Sequence, residues 1–180
     1  MTSETTDLLA HYLARGREPW NVSLEASWLD YELRAWVRPR LPSGWPVRAC
    51  NVGIGVGLWD DWLGHELGIA ITSIDTDPEI CRTFAMRQRR EGHPFPARVR
   101  CGNPCDGMLG RARYDVVTIV GSTLTETGDR AGLECAAREA LVPGGVLLVA
   151  DVGNREPPSG DVELRRLGEM WIAFREARGR

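Results

Sequence analysis

Residues 51–60 read NVGIGVGLWD, with Gly53, Gly55 and Gly57 alternating with small apolar residues. Glycine reaches positive φ without strain and has no side chain, so such a loop can turn tightly and let a ligand lie against its backbone. The residues before it, VRACNVG (47–53), predict a short strand. Those after it, LWDDWLGHELG (58–68), predict a helix ended by glycine. Dinucleotide sites place a G-x-G-x-x-G loop between a strand and a helix. Here the third glycine comes one residue early, and the position that motif needs is Leu58.

The pattern repeats outward from the loop. IAITSID (69–75) predicts a buried strand, and Asp77 caps a helix that has Pro78 at its first position and Gly92 after its end. ARVRCGN (97–103), YDVVTIVG (114–121) and GGVLLVADVG (144–153) predict three more strands, with a helix over 129–141 between the last two. Upstream, helices are predicted over 7–15 and, capped by Ser23, over 24–38. The second carries Leu29, Leu33, Trp36 and Val37 as an apolar stripe. PRLPSGWP (39–46) reads as a linker, and residues 162–175 predict a final helix with Leu164, Leu167, Trp171 and Phe174 on one side.

Strands alternating with helices define an α/β, Rossmann-like, doubly wound and mostly parallel sheet. About five strands are expected, preceded by N-terminal helices and followed by a helix, with no C-terminal antiparallel pair. The chain divides into a substrate-side segment, 1–46, and a cofactor-binding core, 47–180. Strand 5 is then an edge, to be covered by a homodimer, a partner subunit or the N-terminal helices. Ligands bind beyond the carboxyl ends of the strands, so the loops after Val52, Asp75, Cys101, Val120 and Ala150 face the site.

The composition narrows the function. The hydrophobic fraction is 43% and the net charge −3, so no global attraction to nucleic acid or an anionic membrane is expected. Every one of the 22 basic residues is arginine, which excludes Schiff-base and lysine general-base chemistry. Neither a secretory signal nor a membrane span is expected. The five cysteines are scattered, and no metal site is expected, which fits a reduced cytoplasmic protein.

The G-x-G-x-G loop, Asp75 in TSIDTDP 18 residues past Gly57, the Tyr-Asp opening of RYDVVTIVG and the segment LVPGGVLLVAD together resemble the class I S-adenosylmethionine-dependent methyltransferases over residues 47–151. The resemblance implies S-adenosyl-L-methionine as cofactor, with Asp75 taking both ribose hydroxyls; a carboxylate suits a vicinal diol because it accepts two hydrogen bonds. It implies cofactor contacts at Asn51, Gly53, Gly55, Gly57, Trp59, Thr76, Asn103, Pro104, Gly121 and Ser122, and with them the strand order 3-2-1-4-5 and an N-terminal helical lid. Asn103 stands where the family often has an acid that meets the adenine amine. Asn51 stands where it has an acid that helps hold the cationic methionyl end, so an acceptor is kept and a charge lost.

Methyl transfer from a sulfonium is an in-line displacement governed by positioning, with a base needed only if the acceptor must lose a proton. Glu126, in the loop after strand 4, and His11, on the first helix, are the candidates for that role. Glu126 is alternatively a solvated charge at a helix start. Trp20, Thr123 and Asp151 are candidate substrate contacts. Six of the seven tryptophans fall at or before position 62, as packing or as an aromatic lid. Arg82–Arg90 with Arg98 and Arg100 read as one basic region on the strand 3 side, a solvated face or an RNA contact. The expected activity is methylation of a hydroxyl or amine on a small molecule, in specialised metabolism. The alternatives are a non-methylating enzyme of the same fold, such as a cyclase, a catalytically silent partner subunit, a nucleotide-binding oxidoreductase, and an RNA or protein methyltransferase.

Overall fold

Runs of Val, Ile and Leu punctuated by glycine build one sheet of seven strands. The computed structural model describes residues 24–43, 47–93, 96–121, 123, 128–153 and 162–179. The strands are β1 (Arg48–Val52), β2 (Ala70–Asp75), β3 (Arg98–Cys101), β4 (Tyr114–Gly121), β5 (Leu141–Gly153), β6 (Glu163–Leu167) and β7 (Met170–Arg178). Their order is β3-β2-β1-β4-β5-β7-β6. The first five are parallel; β7 runs antiparallel to both β5 and β6.

The helices are α1 (Leu24–Val37), α2 (Leu58–Asp61), α3 (Pro78–Glu91) and α4 (Arg130–Ala140). Local chemistry sets their ends. Asp77 Oδ1 accepts from Glu79 N at 2.8 Å, Pro78 occupies the first position of α3, and Gly92 closes it at φ +65°. Asp129 Oδ1 accepts from Gly132 N at 2.8 Å at the start of α4. The helix after the glycine loop is shorter than expected: α2 is a single turn that widens into a π-type turn over Trp62–Glu66.

The sheet is covered on both faces. On one, the α1 stripe of Leu29, Leu33, Trp36 and Val37 packs with Trp62, Leu63, Val116, Leu148 and Phe174. On the other, Leu133, Ala137 and Ala140 of α4 pack on Cys50, Val52, Val117, Ile119, Leu147 and Val149. The helix expected over 7–15 lies outside the described residues.

Three expectations are corrected. The C-terminal segment is not a helix: β6 and β7 form a hairpin through Gly168 (φ +59°), with Leu167 opposite Met170. Among the described residues the sheet therefore has seven strands and does possess the C-terminal antiparallel pair. Strand 5 is consequently no edge; β7 pairs along it from Val146 to Gly153, which removes the reason for a dimer or partner to cover it. Finally, the fifth strand begins before residue 144, at Leu141, so that Pro143–Gly145 does not precede it. That segment lies within β5, where the register against β4 shifts between Tyr114 and Val116.

Candidate functional site

The glycine loop leaves β1 at the centre of the sheet, beside β4, where the strand order reverses. Gly53, Gly55 and Gly57 all have positive φ, at +90°, +54° and +78°. Two of these bare positions make room for the protein itself. A Cβ on Gly53 would overlap Thr123 Oγ1, and one on Gly57 would overlap the buried Phe84 ring of α3. Thr123 thus brings the β4 loop onto the glycine loop, and its own hydroxyl donates to Val120 O at 3.2 Å.

Asp75 ends β2 next to this loop. Its Oδ2 accepts from Ile54 N at 2.9 Å and its Oδ1 from Asp77 N at 2.9 Å. Two backbone donors fix the carboxylate plane, and each oxygen retains a lone pair. A carboxylate held this way beside a tight glycine turn suits a vicinal diol. Gly102 N reaches Asp75 O at 2.9 Å, tying the β3 loop to the same edge. Beyond it Asn103 Oδ1 accepts from Cys105 N at 2.9 Å, leaving its amide N–H groups and one lone pair exposed; Thr76 is exposed and Pro104 buried.

Asn51 faces inward. It is fully buried and lies between Ser73 of β2 and Thr118 of β4, its register partners. Its Nδ2 donates to Gly53 O at 2.9 Å and to the Asp60 carboxylate at 3.0 and 3.1 Å, and its Oδ1 accepts from Thr118 Oγ1 at 2.9 Å. Ser73 Oγ donates to Asp60 Oδ1 at 2.5 Å, and the Trp59 indole N–H to Thr118 Oγ1 at 3.3 Å. Burial pushes the Asp60 carboxyl up to about 7, against the hydrogen bonds from Ser73 and Asn51. Trp59 also packs on Trp62 and is half-buried. Asp60 was missed in the sequence because only the fold brings it to the Asn51 amide.

Arg87 was missed for a similar reason. It is only 6% exposed, donates to Val56 O at 3.0 Å and pairs with Asp61, pinning the glycine loop to α3. The expected single basic region is thereby corrected. Arg87 is interior, and α3 packs on the Val99 side of β3, opposite Arg98 and Arg100.

Asp151 sits at the end of β5, opposite Gly121, whose φ is +85°. Its Oδ2 meets Arg130 Nη2 at 2.6 Å and Arg175 Nη2 at 3.4 Å; both arginines also reach Glu134. It is part of a cluster of two carboxylates and three arginines, Arg138 joining through Glu134, rather than a free carboxylate. His11, Trp20, Ser122 and Glu126 lie outside the described residues. His65 and His93 meet in a tilted contact, ring centroids 3.5 Å apart, away from this edge. Among the described residues no group of His, Cys, Asp and Glu could hold a metal, and no helix is long and apolar enough to cross a membrane. All five cysteines are free thiols.

This glycine turn, strand-end acid and sheet define a class I methyltransferase fold, and the methyltransferase-domain family matches residues 50–149. The chain belongs to that family. No curated protein matches it in sequence. Among solved structures it is similar to a protein described as a sarcosine dimethylglycine methyltransferase from Galdieria sulphuraria (16% identity, TM-score 0.66, 84% of this chain and 60% of that one). It is similar to the [4+2]-cyclase SpnF (22%, 0.66, 88% and 62%). It is also similar to a phosphoethanolamine N-methyltransferase from Haemonchus contortus bound to S-adenosylhomocysteine (16%, 0.64, 87% and 35%). The chain thus spans less than two thirds of the length of each, and at these identities they share its fold.

Proposed function

We propose that this chain is an S-adenosyl-L-methionine-dependent methyltransferase acting on a hydroxyl or amine of a small molecule. The observation that carries the reading is Asp75, both of whose carboxylate oxygens are fixed by backbone N–H groups at 2.9 Å beside the glycine turn. When bound, the cofactor supplies a methyl group already activated on a sulfonium. Asp75 accepts the ribose hydroxyls. Asn103 and Pro104 line the adenine side with Thr76, and Gly121, Ser122 and Thr123 line the methionyl side. Glu126 or His11 takes a proton from the acceptor, and Trp20 covers it. Residues 1–46 form the acceptor-side segment and 47–180 the cofactor core, in a reduced cytoplasmic setting.

Calorimetry with S-adenosylmethionine, S-adenosylhomocysteine and NAD tests this on the wild type and Asp75→Ala. The expected result is binding of the first two but not of NAD, weakened at least tenfold in the variant; charge-assisted hydrogen bonds of this kind are worth about 1.5–3 kcal/mol. Binding of NAD alone overturns the reading.

The Asn51 geometry favours a second reading, a non-methylating enzyme of the same fold. All of the amide's bonds are internal, so it offers no charge to a cationic ligand. Tight cofactor binding without formation of S-adenosylhomocysteine, across a panel of alcohols and amines, would favour it.

A further inference from the structure

A cleft of about 660 Å³ opens on the other side of the molecule, at the amino ends of the parallel strands. Four arginines line it: Arg48, Arg98, Arg100 and Arg113. Among the described residues no Asp or Glu lines it, the nearest carboxylate being Asp115 on Arg48, although the protein carries 25 acidic residues against 22 basic ones. Arg98 and Arg100, two apart on β3, point to the same face, and register places them beside Thr72 and Ile74 of β2. That face is open because α3 covers the opposite side, and the chain after β3 makes only one wide turn, Pro104–Met108, before β4.

The four guanidinium groups are not equally engaged. Arg48 is paired with Asp115 at 3.1 Å, and Arg100 donates to Met108 O. Arg98 and Arg113 have no ion-pair or side-chain hydrogen-bond partner among the described residues. The Arg113 stem is nevertheless placed, because it crosses Gly110 (φ +73°) where a Cβ would overlap its Cδ. Asp115 neutralises Arg48, and gathering the three remaining like charges in a concave surface is unfavourable unless an anion joins them. Two unpaired guanidinium forks suit phosphate oxygens, and Ala70, Ala112 and Pro96 give the cleft an apolar part. Its volume is that of a small-molecule site.

We infer that this cleft binds a small organic phosphate, separately from the glycine loop and independently of the function proposed there. A nucleic acid is the less favoured ligand: the arginines of α3 lie on the other face and do not extend the patch, and the net charge is −3.

The test is calorimetry at low salt with inorganic pyrophosphate, citrate and a short single-stranded RNA. Pyrophosphate is expected to bind saturably, at one site, more tightly than citrate. Arg98→Ala with Arg113→Ala is expected to weaken it at least tenfold. Ala70→Glu, which places a competing carboxylate in the cleft, should do the same, so the result does not depend on one variant folding. Arg89→Ala with Arg166→Ala should leave binding unchanged. Each of four results overturns the inference: no saturable pyrophosphate binding, equal loss in the control variant, citrate binding as tightly, or tight RNA binding that the cleft variants abolish while pyrophosphate does not compete.

Discussion

The Asn51 side-chain nitrogen lies 3.0 and 3.1 Å from the two carboxylate oxygens of Asp60, and the same nitrogen holds Gly53 O at 2.9 Å. The first bend of the glycine loop is therefore anchored to a buried acid on the helix that follows it. Ser73 and Thr118 complete the network from the strands on either side. A carboxylate near the end of β1 is present after all, but behind the loop rather than facing a ligand.

That burial has a pH signature. An acid whose folded pKa is about 7 and whose unfolded value is near 3.8 binds more protons in the native state between those values, so stability falls as pH rises through that window and levels off above it. Between pH 5 and 7 the loss attributable to Asp60 should be about 2 kcal/mol. Asp60→Asn, which cannot ionise, should flatten this slope in urea unfolding. An unchanged difference between variant and wild type across pH 5–8 would show that Asp60 ionises normally.

Gly57 and Gly92 separate two effects of glycine. Both have positive φ, but a Cβ at Gly57 meets the Phe84 ring while one at Gly92 meets nothing within 4 Å. Gly92→Ala should cost only the left-handed backbone penalty, about 1–2 kcal/mol. Gly57→Ala adds overpacking against a fully buried ring and should cost about 1–3 kcal/mol more. Equal losses in chemical denaturation would mean that Phe84 does not close against the loop.

Asp151 offers a distinction between holding structure and touching substrate. Its carboxylate is 7% exposed and sits between Arg130 and Arg175. Asp151→Asn should lower stability by about 1–3 kcal/mol, less than a fully buried pair because Arg130 is 42% exposed. Once an acceptor is known, KM for it should move little. A large KM increase with unchanged stability would place Asp151 in the acceptor site.

The central strands and the loop chemistry were legible because each depends on neighbours in sequence. Val116–Val120 is an unbroken run of β-branched residues, Asp77-Pro78 is a helix start, and a third glycine at 57 rather than 58 points away from dinucleotides. Asn51–Asp60 and Val56–Arg87 were not legible, because residues 9 and 31 apart meet only in the folded protein. The C-terminal strands were hidden for another reason. Trp171, Ile172, Ala173 and Phe174 are all buried, since β7 lies between two strands and under α1, so no alternation marks them. Leu164, Leu167, Trp171 and Phe174 then imitate a helical stripe. Only Gly168-Glu169, between LRRL and MWIAF, carried a hairpin signal.

Phe174 shows what this hairpin contributes. Its ring stacks on Trp36 of α1 at 4.6 Å and 14°, and the Trp36 indole donates to Glu163 of β6 at 2.9 Å, so one aromatic pair joins α1, β6 and β7. Arg40 also lies over the indole, 4.1 Å from its centre. Phe174→Ala should open a cavity at this junction and cost about 3–5 kcal/mol, whereas Phe174→Leu, which keeps most of the volume, should cost about 1.5 kcal/mol or less. Tryptophan fluorescence should also change in Phe174→Ala, as Trp36 loses its stacked neighbour. If Phe174→Ala costs under about 1 kcal/mol, by the same large-to-small yardstick, β7 does not pack under α1 and the hairpin is not part of the core.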